Sequence, residues 1–472
     1  MNSAFLQRPR PTRLCLILCF LLKKSSVSYY DNPLDAMCPQ RRSGMQQGSL
    51  KPAGYLPRIC DAQVSKVLDL FGAVEIAGPM WCGKTWTSLS FGESVTRLGR
   101  DAVKRIVEAD PTTALLGKSP HVVDEWQDVP GVWDAVRDAV DEDGRPGRFI
   151  LTGSSSLKKD AVSHSGAGRI AKLRMSTMTL LETGESSGAV SLSGLFDGRF
   201  EPILVQQTLE PLAKAICRGG WPALQQVPRS SSAYLDAYLD AVFDVSFPKR
   251  GLDSSVAWSV ARSLARNAGT AAKLQTVASD AFGGEPSEAE KNAVSRYISA
   301  FESLYLVQPV SGWDAPIRSK SRLRTKPKRY FADPSLAASL LQADAARLLS
   351  DGQLFGLLFE SLCIHDLTVY ASAVPGAPLD PLHYYRDSDG LEVDAVIELR
   401  DGRWAALEVK LGENKVPDGV RALTRLRKKV AANPAARNPD PSFMAVIVGA
   451  GEMARRDVES GVYVIPLTAL GI

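Results

Sequence analysis

With 472 residues the chain is too long for one ordinary hydrophobic core, so several domains are expected. Its 45% hydrophobic and 23% charged residues suit a globular protein and exclude a largely disordered one. The net charge of +4 is nearly balanced, which excludes polyanion binding by overall charge and leaves that role to local patches.

Residues 1–53 are rich in Pro, Ser, Arg and Gln, lack sustained periodicity, and read as a disordered leader. Its apolar run from Leu14 to Leu22 is too short to span a bilayer as a helix. Lys23-Lys24 stands where a signal-peptide cleavage site would fall, and Met37 and Met45 are alternative starts. No membrane partner is expected. Seven cysteines with no CxxC pair, and four histidines with no ligand-like pair, point to reduced thiols in the cytoplasm. A metal site must then be built from carboxylates.

From Tyr55 to about Asp197 short apolar strands alternate with helical stretches, the pattern of a parallel α/β sheet. The strands are Ala73–Ala77, Val122–Asp124 and Phe149–Thr152, in an α/β domain expected over residues 54–205. Between the first two, Ala102–Val107 is short and charged, so an abbreviated sheet is expected. Residues 206–345 read as a helical region, with helices at Val205–Cys217, Ala233–Val245, Val256–Ala265, Ala272–Phe282 and Lys291–Leu306. A loop with seven cations and no acid follows, from Arg318 to Arg329. In the last region, 346–472, Phe355–Tyr370 reads as a buried helix and Leu391–Leu399 and Trp404–Lys410 as strands joined across Asp401-Gly402.

Gly78, Pro79, Met80, Trp81, Cys82, Gly83, Lys84 and Thr85 fit the phosphate-loop pattern G-x-x-x-x-G-K-[ST], entered by a strand and left by a helix. The glycines let main-chain N–H groups crowd round phosphates. Lys84 reaches the β- and γ-phosphates and the Thr85 hydroxyl holds Mg²⁺, so ATP and Mg²⁺ are the expected cofactors. Asp124 and Glu125 end the next strand. Asp124 suits the magnesium shell, and Glu125 suits orienting or deprotonating the attacking water. Thr152 and Ser154, at the tip of the third strand, are placed to contact the γ-phosphate or that water. Arg169 and Arg174 are candidates for an arginine supplied to a neighbouring subunit, which would make the protein a homo-oligomer.

With these residues in place, the chain resembles a group of bacterial and archaeal AAA+-like ATPases that carry the domain of unknown function 4143 at their C-terminus. The matching words are Tyr55-Leu56-Pro57-Arg58, Gly78–Thr85, Val123-Asp124-Glu125-Trp126-Gln127 and Arg148–Ser154, then Arg218-Gly219-Gly220-Trp221-Pro222, Phe359-Glu360-Ser361 and Leu407-Glu408-Val409-Lys410. The resemblance runs from near Tyr55 to about Glu413, about three quarters of the chain. The resemblance implies an α/β P-loop ATPase core, a helical or winged-helix middle, and a C-terminal α/β domain similar to the PD-(D/E)xK nuclease fold.

In that last domain Asp394, Glu408 and Lys410 follow D-x₁₃-E-x-K. Glu408 and Lys410 share a strand face. Asp394 joins them if an odd-numbered loop is centred on Asp401, and a two-residue loop at Asp401-Gly402 sends it to the other face. Converged, Asp394 and Glu408 could bind Mg²⁺ with Lys410 positioning a nucleophile and Glu360 completing the acidic set; apart, they are a solvated strand face. The basic loop Arg318–Arg329 suits the charged wing of a winged helix on DNA phosphates. Two functions follow. One is an ATPase whose hydrolysis drives or switches a DNA-associated C-terminal half. The other is a regulatory ATP-binding module that controls protein assembly, with an inactive nuclease-like scaffold.

Overall fold

The computed structural model describes residues 49–156, 165–225 and 231–472, so the expected leader over 1–53 lies almost wholly outside the described residues. All of these belong to one compact unit, Met45–Ile472.

The first region strings together α1 (Asp61–Leu68), β1 (Ala73–Ala77), α2 (Lys84–Phe91), β2 (Ser94–Arg97), α3 (Asp101–Ala109), β3 (His121–Asp124), α4 (Gly131–Glu142), β4 (Phe149–Gly153) and β5 (Ile170–Arg174). The five strands are all parallel and lie in the order β2-β3-β4-β1-β5. Alternation along β1 sends Val74 and Ile76 to one face, against Val64, Leu68 and Leu89. Ala73 faces the other way, against Val132, Trp133 and Val136. The sheet is therefore not abbreviated. Its missing strand is Ser94–Arg97, while the stretch around Ala102–Val107 is the helix α3. Every residue of β2 is only partly buried, as befits an edge, and such a strand needs no apolar run to announce it.

The chain then passes through short elements, α5 (Leu180–Thr183), β6 (Val190–Ser191), α6 (Leu192–Phe196) and β7 (Ile203–Gln207), into the helical region. Its members are α7 (Leu209–Arg218), α8 (Pro222–Gln225), α9 (Ser231–Ser246), α10 (Ser254–Arg266), α11 (Leu274–Phe282) and α12 (Glu288–Ser303), closed by β8 (Val307–Val310), α13 (Ser321–Arg324) and β9 (Lys328–Phe331). The helix expected from Val205 begins only at Leu209, because Val205 to Gln207 belong to β7, which pairs with the strand Gly451–Arg456. Strands β8 and β9 form an antiparallel ribbon, Val307 opposite Phe331.

The last region holds α14 (Pro334–Leu340), α15 (Ala345–Ser350), α16 (Gly352–Ala373), β10 (Leu382–Arg386), β11 (Glu392–Glu398), β12 (Trp404–Lys410), α17 (Val416–Ala431), β13 (Phe443–Val448), β14 (Gly451–Arg456), β15 (Tyr463–Pro466) and β16 (Leu470–Gly471). Its seven-stranded sheet runs β10-β11-β12-β13-β15-β14-β7, antiparallel through β12 and parallel from β12 through β15. Val416, Leu423, Leu426 and Val430 of α17 pack on one face. Helix α16 is apolar all round because it is covered on several sides. Besides packing on this sheet, it meets the first region, where His365 Nε2 lies 2.9 Å from Thr177 Oγ1 and Asp366 accepts from the Leu180 amide at 3.1 Å.

Candidate functional site

A strand that stops at glycine and restarts as a helix leaves a loop of exposed amides at the helix's amino end. Here β1 ends at Ala77 and α2 begins at Lys84, with Gly78 to Gly83 between them. Gly83 has φ +106°, which side-chain-bearing residues rarely adopt, and a Cβ on Gly78 would lie 2.2 Å from the Met175 carbonyl oxygen. Both glycines of the pattern are thus required by the loop's path. Lys84 is buried, and its ammonium donates to the carbonyls of Gly78 at 3.0 Å and Pro79 at 2.8 Å.

The neighbouring strand tips close the cradle from the side. The hydroxyls of Thr85 and Thr152 both donate to Asp124 Oδ1, at 2.8 and 2.7 Å. The Glu125 amide donates to Thr152 Oγ1 at 3.0 Å. Glu125 itself sits in the left-handed region, φ +59°, a conformation that costs a glutamate on the order of 1 kcal/mol. Its carboxylate accepts from Ser154 Oγ at 2.8 Å and from the Gln127 amide. The sheet order, which sets β4 between β1 and β3, is what allows Thr152 to bridge them. Thus Lys84, Thr85, Asp124, Glu125, Thr152 and Ser154, named from three separate stretches, meet at the carboxyl end of the sheet, where open α/β folds bind ligands.

Arg169 does not join them. It precedes β5 at the opposite end, where its carbonyl accepts from the Ala73 amide and its guanidinium pairs with Asp141 at 2.7 Å. Since β1 and β5 run parallel, five residues of strand separate it from the loop, about 16 Å. Arg169 cannot serve the cradle of its own chain. Arg174 is better placed, opposite Ala77 and over the Tyr305 ring at 5.6 Å.

Arg58 was quoted in the sequence only as part of a matching word, yet it braces the loop. It is buried and donates to the Cys82 carbonyl at 2.8 Å, the Ser176 carbonyl at 2.8 Å and Glu182 at 3.0 Å. Trp81, also at positive φ, packs in tilted contact on Tyr234 and Tyr238 of α9, centroids 5.0 and 5.3 Å away. Tyr238 in turn packs on Trp221, centroids 4.9 Å apart and rings tilted by 47°. The glycines before Trp221 allow this joint, since a Cβ on Gly220 would lie 1.9 Å from the Met178 carbonyl oxygen.

The second constellation is resolved by its hairpin. Ala395 pairs with Leu407 and Glu398 with Trp404, a register centred on Asp401. The odd-numbered loop holds, and Asp394 faces the Glu408 end of β12, accepting from the Val409 amide at 2.9 Å. Lys410 Nζ lies 2.5 Å from Glu408 and 3.8 Å from Asp394. Burial and the neighbouring carboxylates push Glu408 up to about 8 and Glu360 up to about 7.

Lys328 enters the same cluster. Only 2% of its side chain is exposed, and its ammonium lies 2.6 Å from Glu392, 3.4 Å from Glu360 and 3.9 Å from Asp394. Lys328 is therefore not a solvent-facing member of the basic loop. Neither is Arg322 free, because it forks onto Glu398 at 2.6 and 3.0 Å. Among the described residues, no group of three or more His, Cys, Asp or Glu is set to hold a metal ion.

The chain matches three family models. Residues 71–184 match an AAA domain, residues 209–347 a domain of unknown function (DUF8612), and residues 355–470 a domain of unknown function (DUF4143). Uncharacterized proteins of Mycobacterium bovis and Mycobacterium tuberculosis are each 26% identical over 360 residues, which is 74% of this chain and 72% of theirs. A solved structure, the Walker-type ATPase PABY2304 of Pyrococcus abyssi, superposes with a TM-score of 0.38 at 9% identity, covering 63% of this chain and 99% of that one. The AAA domain supports ATP binding and ATPase activity at family level. The chain matches the P-loop ATPases that carry the domain of unknown function 4143 at their C-terminus.

Proposed function

We propose that this protein is a Mg²⁺-dependent ATPase whose nucleotide state switches a DNA-associated C-terminal half. The observation that carries the reading is Asp124, whose carboxylate is gripped by the Thr85 and Thr152 hydroxyls beside the loop. The residues fit the cofactor. The turn at Gly78 and Gly83 admits no side chain, the first amides of α2 have no partner within the helix, and hydroxyl and carboxylate oxygens suit a hard cation.

Thr85 and Asp124 would hold Mg²⁺ together with phosphate oxygens and water, and Lys84 would hold the β- and γ-phosphates. The bound metal supplies charge neutralisation at the transferred phosphoryl group. Glu125, steadied by Ser154 and Gln127, orients the attacking water and takes its proton. Thr152 keeps the Glu125 backbone in its strained turn. The contacts of Trp81 with Tyr234 and Tyr238 give the loop a direct grip on the helical region, so a change in the loop is felt there.

The DNA-associated half is supported by the order of α10, α11 and α12 followed by the β8–β9 ribbon, the sequence of parts in a winged helix. The C-terminal order α16, three antiparallel strands, α17 and a parallel strand supports the nuclease-like fold. One observation favours the inactive-scaffold version of that fold, namely the Lys328 ammonium lodged among its carboxylates. Steady-state turnover and nucleotide binding test the core. Lys84→Ala should lose ATP binding, and Glu125→Gln should keep binding while turnover falls at least a hundredfold, on the order expected for a general base. Wild-type turnover in Glu125→Gln would overturn the assignment of the base.

A further inference from the structure

The helical region carries a groove of about 440 Å³ bounded by the amino end of α11, the flank of α12 and the approach to β9. Among the described residues its cations are Lys273, Lys291, Lys326 and Arg329, and Glu302 is the one acid on its wall. Two of the four are free, since Lys273 and Lys326 are exposed and have no ion-pair partner among the described residues. The other two are weakly held. Lys291 pairs with Glu288 at 2.8 Å on the same exposed helix, and Arg329 lies 3.5 Å from Glu302. The first pair is exposed and contributes little, and the second, partly buried, is long, so neither cation is firmly committed. The remaining polar lining is Gln275, Ser295 and Ser299.

We infer that this groove is a binding site for the phosphate backbone of double-stranded DNA, with α12 as the element laid against the duplex. The inference rests on the DNA-associated reading above and names the surface responsible. Three features choose the ligand. Cations reach the groove from two elements besides α12, Lys273 from the amino end of α11 and Lys326 and Arg329 from the β9 side, as a duplex backbone running past a helix requires. The outer face of α12 exposes Asn292, Ser295, Arg296 and Ser299, short donors and acceptors on a rigid helix that a major groove can admit. Among the described residues no aromatic side chain lines the groove, whereas single-stranded nucleic acid is held by stacking its bases on aromatic rings. The surface also differs from the basic loop as a whole, because Arg322 and Lys328 are committed to Glu398 and to the acidic cluster.

The test is fluorescence anisotropy of the full chain with a labelled random-sequence DNA duplex across a salt series. The paired variant Lys273→Gln with Lys326→Gln removes two exposed charges from the groove. A control, Lys66→Gln with Lys428→Gln, removes two exposed charges elsewhere. We expect the groove variant to bind about tenfold more weakly, with its log–log salt slope reduced by about 2, at roughly 0.9 per phosphate contact. The control should match the wild type. Equal weakening in both variants, or none in the groove variant while the wild type binds, would overturn the groove and leave the DNA reading standing. Tighter binding of single strands or RNA than of duplex would overturn the choice of ligand. A wild type that binds no duplex removes the DNA half of the proposed function, and this site with it.

Discussion

Replacing Lys328 with methionine should make the protein's stability depend more steeply on pH, and the size of the change follows from the cluster it enters. Four carboxylates, Glu360, Glu392, Asp394 and Glu408, share two ammonium groups, Lys328 and Lys410. Glu360 is pushed up to about 7 and Glu408 up to about 8, both by burial first and by Asp394 next. An acid whose folded value is raised contributes stability that is present below its ordinary value, near 4.5, and lost as pH rises through the folded value. The wild type should therefore weaken between about pH 5 and pH 8. Without the Lys328 ammonium, Glu360 is pushed higher and keeps its proton past pH 7. Each pH unit over which it does so costs about 1.4 kcal/mol relative to the wild type, so the extra loss at pH 8.5 over pH 5.5 is about 2 kcal/mol. Urea-unfolding midpoints at the two pH values measure it directly. An equal loss at both would mean that Lys328 acts by packing alone, and the electrostatic account of the cluster would be wrong.

Other substitutions probe the nucleotide loop. Arg58→Ala leaves Glu182 buried without its cationic partner and the Cys82 and Ser176 carbonyls without this donor, so a loss of about 3–5 kcal/mol and weaker ATP binding are expected, with Arg58→Lys restoring little of either. Chemical denaturation and nucleotide titration read the two effects. Gly83→Ala forces a methyl-bearing residue to φ +106° and should abolish ATP binding at a stability cost of about 1–3 kcal/mol, as measured by calorimetric titration and thermal unfolding. Trp81→Ala removes aromatic contacts worth about 0.5–1.5 kcal/mol, and a double-mutant cycle with Tyr238→Ala should show that coupling in stability with ATP binding retained.

What could be read from the sequence divides according to how far apart the interacting residues lie. The loop from Gly78 to Thr85 is local, so covalent spacing alone sets its shape, and Gly83 at positive φ is the signature of that. Asp124 and Thr152 were legible because each ends an apolar strand, and ends of parallel strands gather at one edge. The face of Asp394 depended on loop parity, which Asp401-Gly402 leaves open; the Asp401 carboxylate accepting the Arg403 amide at 2.9 Å marks the turn that was adopted. Arg58 was invisible as a brace because its partners lie as far as 124 residues away.

Lys328 shows where a signal existed and was outweighed. In a run of seven cations it looks like its neighbours. A strand alternates, however, and Lys328 is two residues before Tyr330, whose hydroxyl donates to Glu360 at 2.7 Å. Any strand that buries Tyr330 must turn Lys328 the same way, away from water. An ammonium forced inward has to meet carboxylates, and the acids of the C-terminal sheet are the group at hand. The same alternation turns Arg329 outward, to the groove beside α12. One short strand thus sends one cation to each side, joining the helical region to the C-terminal sheet with the first and offering the second to an outside anion.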